Sequence, residues 1–163
     1  MSADNAKVAI LMGSQSDWPV MKRARDVLAE LGVASDARVI SAHRKPARLH
    51  EFMDEAEAAG IQVFIAGAGL AAHLPGVVAS LTIRPVLGVP LEAGPLKGKD
   101  ALYSIVQMPG GIPVGTLGIG GAGAKNAGLL AAEILALADH GLAQRLKDWR
   151  ASQAEGLQEI PQD

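Results

Sequence analysis

Short apolar runs alternate along the whole chain with stretches of helical periodicity. The first run, Val8 to Met12, contains no polar residue and stops at Gly13, as expected of a strand that is buried on both faces of a sheet. The later runs of this kind are 37–41, 62–66, 85–89 and 114–119. Because a helical pattern separates each run from the next, the alternation predicts an α/β fold. We expect a parallel sheet of about five strands with helices on both faces.

Turn-forming and capping residues mark the ends of the predicted helices. Gly32 and Gly60 follow the last turns of the first two helices, where glycine readily ends a helix. Ser16 or Asp17 is the predicted cap of the first helix, and Asp100 that of the fourth. The predicted helices cover about 17–31, 46–59, 73–81, 100–106, 124–138 and 142–153.

The helical stretch 124–138 is apolar nearly all round. Its only polar residues are Lys125, Asn126 and Glu133. A helix of this kind is buried on more than one side. In a chain of 163 residues we expect a neighbouring subunit to supply part of that cover, so the C-terminal helical region should pack on other copies of a homo-oligomer.

Length and composition exclude several classes of protein. A chain of 163 residues predicts one domain, 1–163, and a net charge of −2 leaves no electrostatic footprint for nucleic acid or an anionic membrane. The absence of cysteine excludes disulfides and cysteine–zinc sites, and no spacing of histidine and carboxylates indicates another metal site. No apolar stretch reaches the roughly 18 residues of a membrane span, and 1–7 is polar. We therefore expect a cytoplasmic protein.

Polar side chains follow the first three predicted strands at the point where each strand ends. Ser14 and Asp17 follow the first strand, His43 and Arg44 the second, and a glycine turn that leads to His73 the third. In an open parallel sheet, ligands bind outside this edge. The helix start after the first strand favours an anion, Arg44 suits a phosphate, and a histidine such as His43 can move a proton near neutral pH.

Each of these motifs also has a simpler interpretation. Helix capping by Ser16 or Asp17 explains the first turn as well as a ligand does. His43 and Arg44, taken alone, would be a solvated loop pair. For His73 we favour a histidine at a helix start that the backbone satisfies. The convergence of three turns at one edge is what favours a functional site for the first two.

Two glycine patterns raise the possibility of dinucleotide binding. Residues 67–72 have the spacing G-x-G-x-x-A, and 118–123 have G-x-G-x-x-G. Neither lies in the first strand–helix turn, and neither is followed by an acidic residue about 20 positions on at the end of the next strand. We favour tight turns that admit a ligand or a neighbouring backbone, and a non-catalytic nucleotide-binding module stays open as a rival.

Several longer motifs occur together in the order typical of one family. They are 13–18 (GSQSDW), 41–44 (SAHR), 66–69 (AGAG), 71–76 (AAHLPG), 104–109 (SIVQMP), 111–115 (GIPVG) and 125–127 (KNA). On these motifs the chain resembles the N5-carboxyaminoimidazole ribonucleotide mutase family of purine biosynthesis. The resemblance covers about residues 7–150 and leaves a polar tail at about 156–163.

The resemblance implies a three-layer, flavodoxin-like α/β/α sheet in a homo-octamer. It implies conversion of N5-carboxyaminoimidazole ribonucleotide to 4-carboxyaminoimidazole ribonucleotide, through trapped CO₂ and a histidine acid/base, with no metal, nucleotide or organic cofactor. Carried over by position, it assigns the phosphate to Ser14 and Arg44, the ribose hydroxyls to Asp17 and the proton transfers to His43. The remaining pocket residues that it implies, around the base and carboxylate, are Ser41, Ala68, Gly69, Leu70 and His73.

Two residues depart from the usual pattern of that family. Lys45 stands in place of a threonine, where we expect it to add positive charge near the phosphate. Leu70 stands in place of a glycine, and leucine does not easily take a positive φ. Leu70 therefore leaves an inactive structural paralogue open. A direct, CO₂-dependent carboxylase of the same ribonucleotide also stays open, although the 71–76 turn favours the mutase.

Overall fold

Five parallel strands form one sheet in the computed structural model, which describes residues 5–155. The strands are β1 (Val8–Met12), β2 (Ser35–Val39), β3 (Val63–Gly69), β4 (Val86–Leu91) and β5 (Gly115–Thr116). Their order across the sheet is β2-β1-β3-β4-β5, which is the flavodoxin-like order. The predicted parallel α/β fold is confirmed. Strand succession reverses between β1 and β3, and that reversal opens a crevice at the carboxyl ends of the strands.

Helices cover both faces of the sheet and make the predicted three layers. They are α1 (Trp18–Glu30), α2 (Pro46–Ala58), α3 (Leu74–Ser80), α4 (Lys99–Val106), α5 (Gly120–Ala136) and α6 (His140–Glu155). Alternate side chains of β1 enter separate cores, because successive residues of a strand face opposite sides. Val8, Ile10 and Met12 join the core beneath α1, α5 and α6, whereas Ala9 and Leu11 join the core beneath α2, α3 and α4.

The edge strand β2 begins and ends two residues before the predicted run 37–41. Ser35 pairs with Val8, and Val39 pairs with Met12. An edge strand is hydrogen-bonded along one side only and tolerates polar residues, so Ser35 and Asp36 belong to it although they are not apolar. The search for apolar residues therefore predicted β2 two residues too far along the chain.

The central strands β3 and β4 run further than the sequence predicts. β3 continues through Gly69, which pairs with Leu91, and β4 continues through Pro90. Proline is unusual in a paired strand because it has no N–H to donate. Pro90 is tolerated because β5 pairs only with Leu87 and Gly88. At Pro90, the side of β4 that faces β5 has no partner strand, so no hydrogen bond is lost.

The segment predicted as a six-residue strand at 114–119 forms only the two-residue strand β5, and α5 begins four residues earlier than predicted. Close backbone packing explains the early start. A Cβ at position 123 would lie only 1.6 Å from the carbonyl oxygen of Gly118. Only glycine therefore fits at position 123. This agrees with the prediction that a tight glycine turn here admits a neighbouring backbone.

The apolar helix α5 is covered on more than one side by its own chain. Ala124, Ala127 and Ala131 are buried in the core that contains α1 and β1, and α6 also packs against α5. A neighbouring subunit is thus not needed to explain most of its apolar surface. Leu137, at its end, is 85% exposed, and packing on another subunit stays a prediction.

The two predicted helix caps have different outcomes. Asp17 stands at the predicted N-cap position of α1 but its side chain makes no capping bond there, and Ser14 caps the turn before α1. Gly98, with φ +84°, stands at the N-cap of α4 in place of Asp100. The side chain of Asp139 accepts a hydrogen bond from Leu142 N–H at 2.9 Å, so α6 begins before the predicted position 142. The predicted polar tail, about 156–163, lies outside the described residues.

Candidate active site

A cleft of about 410 Å³ lies at the carboxyl ends of β1, β2, β3 and β4. It is lined by every residue that the sequence placed in the site: Ser14, Asp17, Ser41, His43, Arg44, Ala68, Gly69, Leu70 and His73. It also contains Gly13, Ser16, Ala42 and Ala71, which belong to the three turns that the sequence placed at this edge, and Leu74 and Ala93, which were not predicted. Ala93 lies in the β4–α4 loop and has no polar side chain, so nothing in the sequence indicated that it belongs to the site. The extension of β3 to Gly69, opposite Leu91, is what brings that loop to the cleft.

The turn after β1 is a short 3-10 helix, Gln15–Asp17, capped reciprocally. The Ser14 Oγ accepts from the N–H of Ser16 at 3.3 Å, and the N–H of Ser14 donates to Asp17 Oδ2 at 3.0 Å. Ser14 can cap because its backbone is extended. Desolvation raises the pKa of Asp17, and hydrogen bonds from the backbone of Ser14 and Gly13 act in the opposite direction.

The turn after β2 reaches across to the turn after β1. Arg44 Nη2 donates to the carbonyl oxygen of Gly13 at 2.8 Å, and the backbone N–H of Arg44 donates to Ser41 Oγ at 3.3 Å. The guanidinium therefore stands beside Ser14, as an anion site built from both turns requires. Lys45, in contrast, does not line the cleft.

The turns after β2 and β3 meet through their two histidines. His43 Nε2 lies 2.8 Å from His73 Nδ1, and the two rings are perpendicular. One of these nitrogens must donate and the other accept, so a single proton lies between them. The interpretation of His73 as a histidine satisfied by backbone is wrong, because its side chain makes no capping bond and pairs with His43 instead.

The sequence model described as AIR carboxylase matches residues 7–156. This chain belongs to the AIR carboxylase family. The family that the sequence motifs predicted is thereby confirmed.

Several members of the AIR carboxylase family are similar over nearly the full chain. A protein of Brucella melitensis named N5-carboxyaminoimidazole ribonucleotide mutase is 58% identical over 161 residues, which are 99% of this chain and 98% of that protein. A protein of the same name from Escherichia coli K12 is 56% identical over 163 residues, 99% of this chain and 96% of that one. The crystal structure of Treponema denticola PurE superposes with a TM-score of 0.83 at 31% identity, covering 91% of each chain.

The glycines in this AIR carboxylase chain that resemble a dinucleotide motif serve packing. A Cβ at Gly67 would lie 2.3 Å from Met21 Sδ, and one at Gly69 would lie 2.8 Å from Ala93 Cβ. These residues let a helix and a loop approach β3 closely. Leu70 takes φ +55°, contrary to the expectation that a leucine avoids this region.

Two further findings concern residues 5–155 only. Within that range, no group of three or more histidine or acidic side chains is arranged to hold a metal ion. No helix there combines the length and apolar character needed to cross a membrane.

Proposed function

We propose that this chain converts N5-carboxyaminoimidazole ribonucleotide to 4-carboxyaminoimidazole ribonucleotide, a step of de novo purine synthesis that leads to IMP. The observation that carries the proposal is the meeting of the His43–His73 pair with the anion-binding turn at Ser14 and Arg44 in one cleft. The relatives named as this mutase, at 58% and 56% identity, support the same activity.

The reaction moves one carboxylate from N5 to C4 with no net change in protons. The N5–CO₂⁻ bond breaks, CO₂ leaves, and N5 takes up one proton. The ring carbon C4 then attacks the CO₂, a new C–C bond forms, and the proton on C4 leaves to restore the aromatic ring. One group that gives a proton and later takes one back is sufficient, and a histidine does both near neutral pH.

His43 is the group that we assign to these transfers, with His73 as its partner. The 2.8 Å hydrogen bond fixes the orientation of the His43 ring. His73 is thus a positioning residue for the acid/base as well as part of the pocket wall.

The remaining lining residues divide into a polar end, which we assign to the phosphate and ribose, and a second group, which we assign to the base and carboxylate. At the polar end, Ser14 and Arg44 bind the phosphate with a hydroxyl and a guanidinium, and Asp17 accepts from the ribose hydroxyls. The base and the carboxylate lie against Ser41, Ala68, Gly69, Leu70 and His73. Holding CO₂ beside C4 in this small cleft makes the second step effectively intramolecular.

Direct carboxylation of aminoimidazole ribonucleotide by CO₂ is the second candidate activity. The description of the matching family as AIR carboxylase favours it. The two activities use the same acid/base but differ in the origin of the carboxyl carbon. Dependence on added bicarbonate therefore separates them.

We further propose that residues 1–163 form one mutase domain that acts in the cytoplasm as a homo-octamer, without a metal or organic cofactor and without nucleic-acid or membrane partners. Exposed apolar side chains support assembly: Ile83 is 98% and Leu137 85% exposed in the single chain. Apolar surface of this kind commonly marks contacts between proteins.

The test is a spectroscopic assay of freshly prepared N5-carboxyaminoimidazole ribonucleotide in bicarbonate-free buffer. We expect the 4-carboxy isomer to form above the spontaneous rate. His43→Asn should lose turnover by a factor of about 100 or more, as expected for loss of a general acid/base, while it still binds the substrate.

Three other results would change the assignment. Product formed only from aminoimidazole ribonucleotide plus bicarbonate would establish the carboxylase. An unchanged rate in folded His43→Asn would remove that residue from the chemistry. No turnover in either assay, with tight binding of an adenine dinucleotide, would establish the non-catalytic module.

A further inference from the structure

Leu70 has a backbone conformation that is costly for its residue type. Its φ of +55° lies in the left-handed region, which suits the glycine of the usual family pattern and not a leucine. Its side chain is 52% exposed, so burial offsets little of that cost. Backbone outliers of this kind cluster at functional sites, which makes the side chain of this leucine a candidate for a role in the cleft.

The side chain of Leu70 lies where the end of β3 meets the β4–α4 loop. A Cβ at Gly94 would lie 3.0 Å from Leu70 Cδ2. Beside this contact, a Cβ at Gly69 would lie 2.8 Å from Ala93 Cβ. The strand end and the loop are therefore in close contact, and Leu70 and Ala93 both line the cleft at this contact.

Leu70 supplies the bulk on this side of the cleft. Of the six apolar side chains that line the cleft, four belong to alanines, and that of Leu74 is buried at 4% exposed. Leu70 is thus the one large lining side chain that is both apolar and exposed. The cleft volume of about 410 Å³ is small for a ligand pocket, so a leucine in place of a glycine reduces the room for a ligand appreciably.

The polar end of the cleft has no means of judging the size of a ligand's far end. Ser14, Asp17 and Arg44 would bind the phosphate and ribose of any aminoimidazole ribonucleotide, whatever group its C4 carries. Selection between such ribonucleotides therefore needs a steric element at the other end. A side chain that clashes with the wrong ligand supplies selection of this kind.

We propose that Leu70 limits the size of the group that the cleft accepts at C4 of the imidazole ring. This inference rests on the function proposed above, in which the base and carboxylate lie against residues 68–70. A carboxylate is short and fits beside the leucine, whereas a longer group, such as an N-alkyl carboxamide, meets its side chain. Because a leucine replaces the glycine, this selectivity distinguishes the chain from relatives that have glycine there.

The experiment measures binding with two unreactive probes. One is the 4-carboxamide of aminoimidazole ribonucleotide, which is close to the carboxylate in size and shape, and the other is its N-propyl amide. Calorimetry gives the Kd of each probe. The Kd of the propyl amide divided by the Kd of the unsubstituted amide is the result, because this ratio cancels any effect common to both.

The variants separate the volume of the side chain from the backbone conformation. Leu70→Ala and Leu70→Gly both remove the bulk, and the glycine variant also fits the left-handed backbone, so a folded protein without the side chain is obtained either way. Leu70→Met keeps about the same volume. Lys97→Gly is the matched control, because Lys97 has φ +50° in the β4–α4 loop, is exposed and does not line the cleft.

We expect a Kd ratio of about 30 or more in wild type, Leu70→Met and Lys97→Gly, because even one methylene too many for a pocket costs about 10–200-fold. The ratio should fall to about 3 or less in Leu70→Ala and Leu70→Gly, where the extra propyl group no longer meets a side chain.

Three results would overturn the size limit. They are a ratio near one in wild type, a ratio that stays high in both truncated Leu70 variants, and a fall in Lys97→Gly as large as theirs, which would indicate a loosened loop instead. Failure of wild type to bind either amide would also overturn it. Turnover of N5-carboxyaminoimidazole ribonucleotide by the same wild-type preparation decides separately whether the mutase activity stands.

Discussion

The guanidinium of Arg44 joins the turns after β1 and β2 at the polar end of the cleft. If it binds the substrate phosphate, Arg44→Ala removes charge-assisted hydrogen bonds, each worth about 1.5–3 kcal/mol. We expect the Kd of the ribonucleotide to rise about 10–100-fold, as measured by calorimetry. The Kd of the corresponding riboside, which has no phosphate, should change little.

Lys45→Ala is the matched control for Arg44→Ala. It removes the same charge from the next residue, but Lys45 does not line the cleft. Exposed charges interact weakly through water, so we expect less than about a threefold change in Kd. Equal losses in the two variants would show that overall charge, rather than the position of Arg44, determines binding.

The raised pKa of Asp17 predicts a pH dependence of stability. Because desolvation raises the folded pKa of Asp17 above its ordinary value of 3.8, the folded protein binds this proton more tightly than the unfolded chain does. The contribution of Asp17 to stability is therefore largest below pH 3.8 and is lost as pH rises through the folded pKa.

Asp17→Asn tests this sign because it removes the titration while keeping an acceptor for Ser14 N–H. Denaturant unfolding at a series of pH values measures the free energy of unfolding of both proteins. As pH rises from about 4, this free energy should increase in the variant relative to wild type, and above the folded pKa of Asp17 the difference should stay constant. A difference that shrinks with rising pH would contradict desolvation as the dominant cause.

Two glycines in the first turn of α5 should respond oppositely to the same substitution. Gly123→Ala would place Cβ 1.6 Å from the Gly118 carbonyl oxygen, so the helix must move. We expect a loss of at least about 3 kcal/mol in the free energy of unfolding, or failure to fold. Gly121→Ala meets only the Arg23 side chain, 2.8 Å away, which can swing aside.

Gly121→Ala should therefore be close to neutral or stabilising by up to about 1 kcal/mol, because alanine favours a helix over glycine. Urea unfolding of the two variants measures both effects. If Gly123→Ala were stable but bound a nucleotide less well than wild type, residues 118–123 would serve to bind a ligand rather than to allow close packing.

An exposed apolar groove lies at the start of β4 on the surface of the molecule. It is lined by Ile83, Pro85, Ile112 and Pro113 beside the two-residue edge strand β5. In the proposed octamer this groove is a candidate contact. Ile83→Glu should shift native mass spectra from eight chain masses towards smaller species, since a charge replaces the most exposed apolar side chain there.

Gln144→Glu provides the control for Ile83→Glu. It adds the same charge at an exposed polar position on α6. We expect this variant to assemble as wild type does. If wild type itself runs as a monomer, or both variants dissociate equally, the assembly proposed through this groove is wrong.

Local patterns were sufficient to predict the class of fold and the edge that carries the site. β1 and α2 were predicted correctly because uninterrupted burial and an N-terminal proline are encoded within the segment itself. All predicted site residues line one cleft, because parallel strands bring their carboxyl ends to a single edge. Residue type and position also suggested a phosphate for Arg44 and proton transfer for His43, whereas the specific reaction and the pocket roles of Ser41, Ala68, Gly69 and Leu70 came from the family motifs.

Contacts between segments distant in sequence account for what the patterns missed. β2 was misplaced because its position depends on pairing with β1, and Pro90 is tolerated because β5 is short. The His43–His73 bond joins residues thirty positions apart, and the Leu70 side chain packs over Gly94 of another loop. A linear sequence shows which side chains are available, whereas strand order and close packing determine which of them touch.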